Sequence, residues 1–128
     1  MNDNSDSFSI SGRIKSFTHA IDGIFQLFKS QPNARIHAFI ASVVVVSGFS
    51  LSISSQEWCL LVFAITMVLA SEGMNTAIEY VCDAVSPEFH PLIKKSKDVA
   101  AGAVLISTIG AAIIGMLVFL PYVTGWFV

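Results

Sequence analysis

Glu72-Gly-Met-Asn75-Thr-Ala-Ile-Glu79-Tyr-Val-Cys-Asp83 directly continues an apolar run from Trp58 to Ala70, with no charged residue between Trp58 and Ser71. On one continuous helix, Glu72, Asn75, Glu79 and Asp83 follow at spacings of three, four and four, which sets all four on one face. Three carboxylates then line one stripe of a membrane helix. Ionisable groups at that depth are costly in hydrocarbon, so they face a protein interior, a polar cavity or a bound cation. Three acids with no basic residue among them repel unless something positive sits between them, and the stripe therefore reads as the working site. The plainer reading is that the four groups hold neighbouring helices together by hydrogen bonds, or that the helix has already left the membrane at Glu72.

Composition sets the class. The chain has 128 residues, 54% hydrophobic and 12% charged, with a mean hydropathy of +0.71. Those values are far from a soluble domain and point to one all-α integral membrane domain. All seven basic residues lie before or at the start of the first long apolar run (Arg13, Lys15, Lys29, Arg35) or between the second and third (Lys94, Lys95, Lys97). By the positive-inside rule the N-terminus and the second connection are expected in the cytoplasm, with the turn from Ser52 to Gln56 and the C-terminus outside. Three spans fit this pattern. The net charge of -2 says little about partners, and no basic stripe suits a nucleic acid. Met1 to Ser11 lacks the basic and apolar regions of a cleaved signal peptide, so residues 1–12 are expected as a disordered tail. Cys59 and Cys82 stand 23 residues, or roughly 35 Å, apart on one helix and cannot pair within the chain.

In chain order, residues 13–29 mix Ile14, Phe17, Ile21, Ile24, Phe25 and Phe28 with Arg13, Lys15, His19, Asp22 and Gln26 at nearly helical spacing. This predicts an amphipathic helix in the membrane interface, or one packed on the bundle. Ser30-Gln31-Pro32-Asn33 interrupts it. The spans are expected at about 34–51, 57–85 and 97–120, the last stopped by Pro121. Trp58, Tyr122 and Trp126 suit the outer boundary. On the third span Ala103, Ser107, Ala111 and Gly115 recur every four residues, a small-residue stripe that allows close helix approach. The connection from Ser86 to Ser96 carries Pro87, Pro91 and two lysines. His90 before Pro91 reads as a loop-ordering residue, with nucleotide contact as the alternative.

The carboxylate stripe, followed by Lys97-Asp98, combines sites for a cation with a positive group for an anion. Phosphoryl transfer needs both. No phosphate-binding glycine loop is present, so on physical grounds alone a membrane enzyme handling a phosphate compound ranks only modestly above an ion pathway.

At these residues the sequence resembles the prokaryotic diacylglycerol kinase family, small three-span membrane enzymes that include undecaprenol kinases. The matching motifs are Glu72-Gly-Met-Asn75-Thr-Ala-Ile-Glu79 with Asp83, His90-Pro-Leu and Lys97-Asp98-Val-Ala-Ala-Gly-Ala-Val-Leu. Upstream, Lys15-Ser-Phe-Thr-His-Ala and Asn33-Ala-Arg35-Ile-His37 resemble the family's surface helix and the start of its first span. The likeness covers roughly residues 13 to 121. It implies an ATP-dependent kinase of a membrane lipid hydroxyl, diacylglycerol or undecaprenol, working in the bacterial inner membrane as a homotrimer with shared sites.

Carried over by position, the resemblance implies Glu72 as general base and Glu79 as a ligand of the nucleotide's magnesium. Asn75 would fix the reacting groups, and Lys97, Asp98, Arg13 and Lys15 would serve the nucleotide. One departure stands out. Where the family usually places a second metal-binding glutamate, this chain has Gln31. The neutral amide oxygen removes one negative charge from the expected metal site, which keeps open a catalytically impaired family member or a small oligomeric ion pathway.

Overall fold

A computed structural model describes residues 9–125, over which the chain forms four helices: α1 (Ile10–Ser30), α2 (Pro32–Ser50), α3 (Ser55–Val85) and α4 (Pro91–Thr124). Among the described residues there is no strand. Helices α2, α3 and α4 are each long and apolar enough to cross a membrane, so this is an all-α membrane protein with three spans. The 19 residues of α2 reach about 28 Å, close to the thickness of a hydrocarbon core. At 31 and 34 residues, α3 and α4 overrun that thickness by roughly 16 and 21 Å. The overhang is where the charges are.

Local chemistry explains each boundary. Ser9 Oγ accepts from the Gly12 backbone N–H at 3.3 Å, so α1 starts at Ile10, and residues 10–12, expected as tail, are helical. The rest of that expected tail, residues 1–8, lies outside the described residues. Gln31 is the single extended residue between α1 and α2, with Pro32 at the first helical position, where its missing N–H costs nothing. Ser54 and Glu57 form a reciprocal capping box, so α3 begins at Ser55, inside the segment read as turn.

The largest shift is at α4. His90 Nδ1 accepts from the Leu92 N–H at 3.2 Å and Pro91 opens the helix, so Lys97 and Asp98 stand two turns inside it rather than at its start. His90 thereby orders the loop. Pro121 does not stop α4 either. A proline so near the end forfeits one hydrogen bond, and the helix continues to Thr124 before Gly125 turns left-handed at φ 66°. Trp126 lies outside the described residues.

The most extensive helix pairing is α3 with α4, and α2 packs on α3. Away from the charged ends, Ile53, Leu61 and Val118 form a small core flanked by Val44, Trp58, Ile114 and Phe119. Gly48 makes room for Trp58 there: a β-carbon on Gly48 would sit 2.8 Å from Trp58 Cη2. Tyr122 donates to Glu57 Oε2 at 2.8 Å and pins the end of α4 to the start of α3. Ser107, Ala111 and Gly115 of the small-residue stripe face inward, Ser107 on Ser71 at 2.7 Å and the other two along a crevice with α2 and α3. The outward faces carry Phe39, Phe63, Ile106 and Leu117, all largely exposed, as hydrocarbon or a second copy requires.

Candidate active site

Leu61, Ala64, Val68, Glu72 and Thr76 recur on α3 at helical spacing, and all five are buried. Glu72 therefore occupies a core position, only 2% exposed. Opposite it, α2 presents Ala34, His37, Ala41, Val44 and Gly48 at spacings of three and four, buried or half-buried. Ala34 is fully buried, and its small side chain permits close approach at the start of α2. That approach brings His37 Nε2 to 3.2 Å from Glu72 Oε1. This is the one polar side-chain contact of the Glu72 carboxylate among the described residues. A buried carboxylate without compensation costs several kcal/mol, and His37 supplies the compensation from a neighbouring helix.

One turn on, Asn75 Nδ2 donates a long hydrogen bond of 3.4 Å to Glu79 Oε1, while Asn75 Oδ1 is buried with no partner. A buried acceptor left open calls for an explanation. Asn75 Oδ1 and the Glu79 carboxylate are both hard oxygen donors, one turn apart on the same face, of the kind magnesium takes together with waters and phosphate oxygens. Among the described residues no three His, Cys, Asp or Glu side chains gather into a cage, and a nucleotide-borne magnesium needs none. Tyr80 donates to Ser30 Oγ at 2.8 Å and ties the α1–α2 junction, next to Gln31, to the α3 turn that follows Glu79. The donor set fits the ion.

The basic residues are distributed differently. Lys97 pairs with Asp83 across α3 and α4, and Lys94 pairs with Asp98 within α4 at 2.6 Å. Lys97 thus sits one turn beyond Glu79, against the last acid of the stripe. Asp98 is engaged locally and is not drawn toward Glu72. Arg13 and Lys15 lie on the first turns of α1, with Lys15 about 24 Å of helix from Gln31. Among the described residues no ion pair joins Lys15 to the α3 stripe.

Two apolar spaces lie near Glu72, bordered not by Glu72 itself but by its contact His37 in one and by Gly73 and Thr76 in the other. A crevice of about 230 Å³ runs between α2, α3 and α4 from His37 past Ile40, Leu69 and Thr108. An open groove of about 650 Å³ lies between α1 and α3, lined by Leu27, Gly73, Thr76 and Tyr80 among others.

The stripe was legible in the sequence, but its partners were not. The His37–Glu72 contact joins residues on two helices, and a signal existed only in the matching core-facing periodicities of α2 and α3. Asp83 carried no readable role until Lys97 was found beside it.

Known proteins bear directly on this arrangement. The family model for prokaryotic diacylglycerol kinase matches residues 18–119. The undecaprenol kinase of Bacillus subtilis is 40% identical over 107 residues, covering 84% of this chain and 87% of that protein. A Synechocystis diacylglycerol kinase is 37% identical over 107 residues, covering 83% of this chain and 61% of that one. The diacylglycerol kinase of Escherichia coli K12 is 29% identical over 100 residues, with 78% and 82% covered. Matched by the family model over most of its length and carrying three helices able to span a membrane, the chain belongs to the prokaryotic diacylglycerol kinase family and is a membrane lipid kinase.

Proposed function

We propose that this protein transfers the γ-phosphate of ATP to the hydroxyl of a membrane lipid alcohol, with undecaprenol preferred over diacylglycerol. The observation that carries the reading is Glu72, a buried carboxylate in contact with His37, which lines an apolar crevice. A base in that setting serves a substrate whose body is greasy and whose reacting end is one hydroxyl. The preference for undecaprenol is supported by the 40% identity to the Bacillus subtilis enzyme, above that to the diacylglycerol kinases compared.

In the reaction, Glu72 accepts the hydroxyl proton as the lipid oxygen attacks the γ-phosphorus. The new P–O bond forms as the bond to the β-phosphate oxygen breaks, and ADP leaves with the electron pair. Lys97 exchanges Asp83 for a phosphate oxygen, and its charge offsets what develops on the transferring group. Magnesium, held by Glu79, Asn75 and Gln31, would neutralise the nucleotide phosphates. Asn75 orients the reacting groups.

The N-terminus and the α3–α4 connection lie in the cytoplasm, where ATP is, and the C-terminus lies outside the inner membrane. The working unit is a homotrimer with shared sites. Two features support that: among the described residues Asp98 pairs with Lys94 rather than with the Glu72 stripe, and the outward faces are broadly apolar.

The test offers purified protein labelled ATP, magnesium, and undecaprenol or diacylglycerol in parallel. More product on undecaprenol is expected, and product on diacylglycerol alone would reverse the preference. No product on either lipid, with a folded oligomer and an active family enzyme alongside, would favour the impaired reading that Gln31 raises.

A further inference from the structure

We propose that His37 is a positioning residue for Glu72: its imidazole holds Oε1 and leaves Oε2 as the oxygen that meets the lipid hydroxyl. The inference rests on the kinase reading above and goes beyond it, because His37 touches neither reacting atom. Three observations carry it. The imidazole Nε2 lies 3.2 Å from Glu72 Oε1. A carboxylate oxygen accepts, so an imidazole in this contact presents an N–H at Nε2. No other ion pair or side-chain hydrogen bond to this carboxylate forms among the described residues, so His37 is the polar side chain that fixes which oxygen is engaged.

The second observation is that the ring has little freedom of its own. Ala34, one turn earlier, is fully buried, and Pro32 fixes the start of the helix. The His37 side chain is itself only 17% exposed. The third is that His37 also lines the apolar crevice, together with Ile40, Leu69 and Thr108. The ring that aims the carboxylate is therefore part of the wall along which a lipid would approach it. A base must sit within hydrogen-bond reach of the proton it takes, and a misplacement of about 1 Å costs on the order of a hundredfold in rate.

The experiment compares steady-state kinetics of wild type, His37→Leu, His37→Gln, Glu72→Gln and the Glu72→Gln/His37→Leu double variant in reconstituted membranes. His37→Leu is expected to lower kcat about a hundredfold with the KM for ATP unchanged. His37→Gln, whose amide N–H reaches the same oxygen, is expected to recover roughly tenfold of that loss. In the Glu72→Gln background, His37→Leu is expected to add nothing, because the oxygen it aims no longer acts as a base. Wild-type kcat in His37→Leu, a loss confined to KM, or full additivity with Glu72→Gln would each overturn the proposal. If His37→Leu does not assemble, His37→Asn takes its place: one methylene shorter than Gln, it must be the slower of the two. An inactive wild type would remove the kinase reading itself, a failure seen before any variant is compared.

Discussion

At the scale of single residues, the site is a graded stripe. Glu72 is buried, Asn75 and Glu79 are half-buried, and Asp83 is exposed, so one helical face passes from core to water over three turns. The gradient sorts the roles. On the proposed mechanism, the base that works on a lipid is the deepest group, and those proposed to serve the charged nucleotide lie toward the exposed end. The stripe could be read from spacing alone, because helical periodicity is a local property of the sequence. His37 could not be assigned as its partner that way, since its contact depends on which face of α2 meets α3. Two predictions belong here. Gln31→Glu restores a negative oxygen beside the Glu79 turn and is expected to lower the magnesium concentration needed for half-maximal turnover; an unchanged magnesium titration would contradict the part given to Gln31. Lys97→Ala is expected to raise the KM for ATP by about tenfold or more through loss of a charge-assisted phosphate contact, measured by varying ATP at saturating lipid.

At the scale of elements, the register of α2 on α3 holds the site in place. Gly48 against Trp58 sets that register at one end, and Ala34 with His37 against Glu72 sets it at the other. Gly48→Ala is expected to force the Trp58 ring aside and destabilise the fold by about 1–3 kcal/mol. Reversible unfolding in detergent measures this, and an unchanged midpoint would show that the ring has room to move. The three spans were legible because eighteen or more apolar residues have few alternatives. The helix ends were less so. Lys94, Lys95 and Lys97 look like a connection when charge is taken to mark the end of a helix, yet α4 starts at Pro91, because the His90 cap and the proline act on the backbone regardless of where the bilayer ends. Ser9 and Ser54 moved two other helix starts by the same kind of side-chain capping.

At the scale of the whole molecule, the charged overhangs of α3 and α4 gather at the end of the bundle that carries the α1–α2 junction, while the Trp58 core closes the other end. The small-residue stripe of α4, which sequence alone offered to any helix partner, is used within the chain by Ser107, Ala111 and Gly115. For the proposed oligomer, the exposed apolar faces are available as contact surfaces. If sites are shared between subunits, inactive Glu72→Gln chains co-assembled with inactive Lys97→Ala chains are expected to regain part of the wild-type activity. No recovery in confirmed mixed oligomers would place each site within one chain.

The central claim is that the buried Glu72 takes the proton from a lipid hydroxyl. Its most direct test is single-turnover phosphate transfer from labelled ATP to lipid by wild type and Glu72→Gln, with ATP binding and oligomer mass followed in the same preparations. The account predicts a loss of at least about a hundredfold in the transfer rate, with nucleotide binding and assembly unchanged. Transfer by Glu72→Gln at a rate near that of wild type would contradict it.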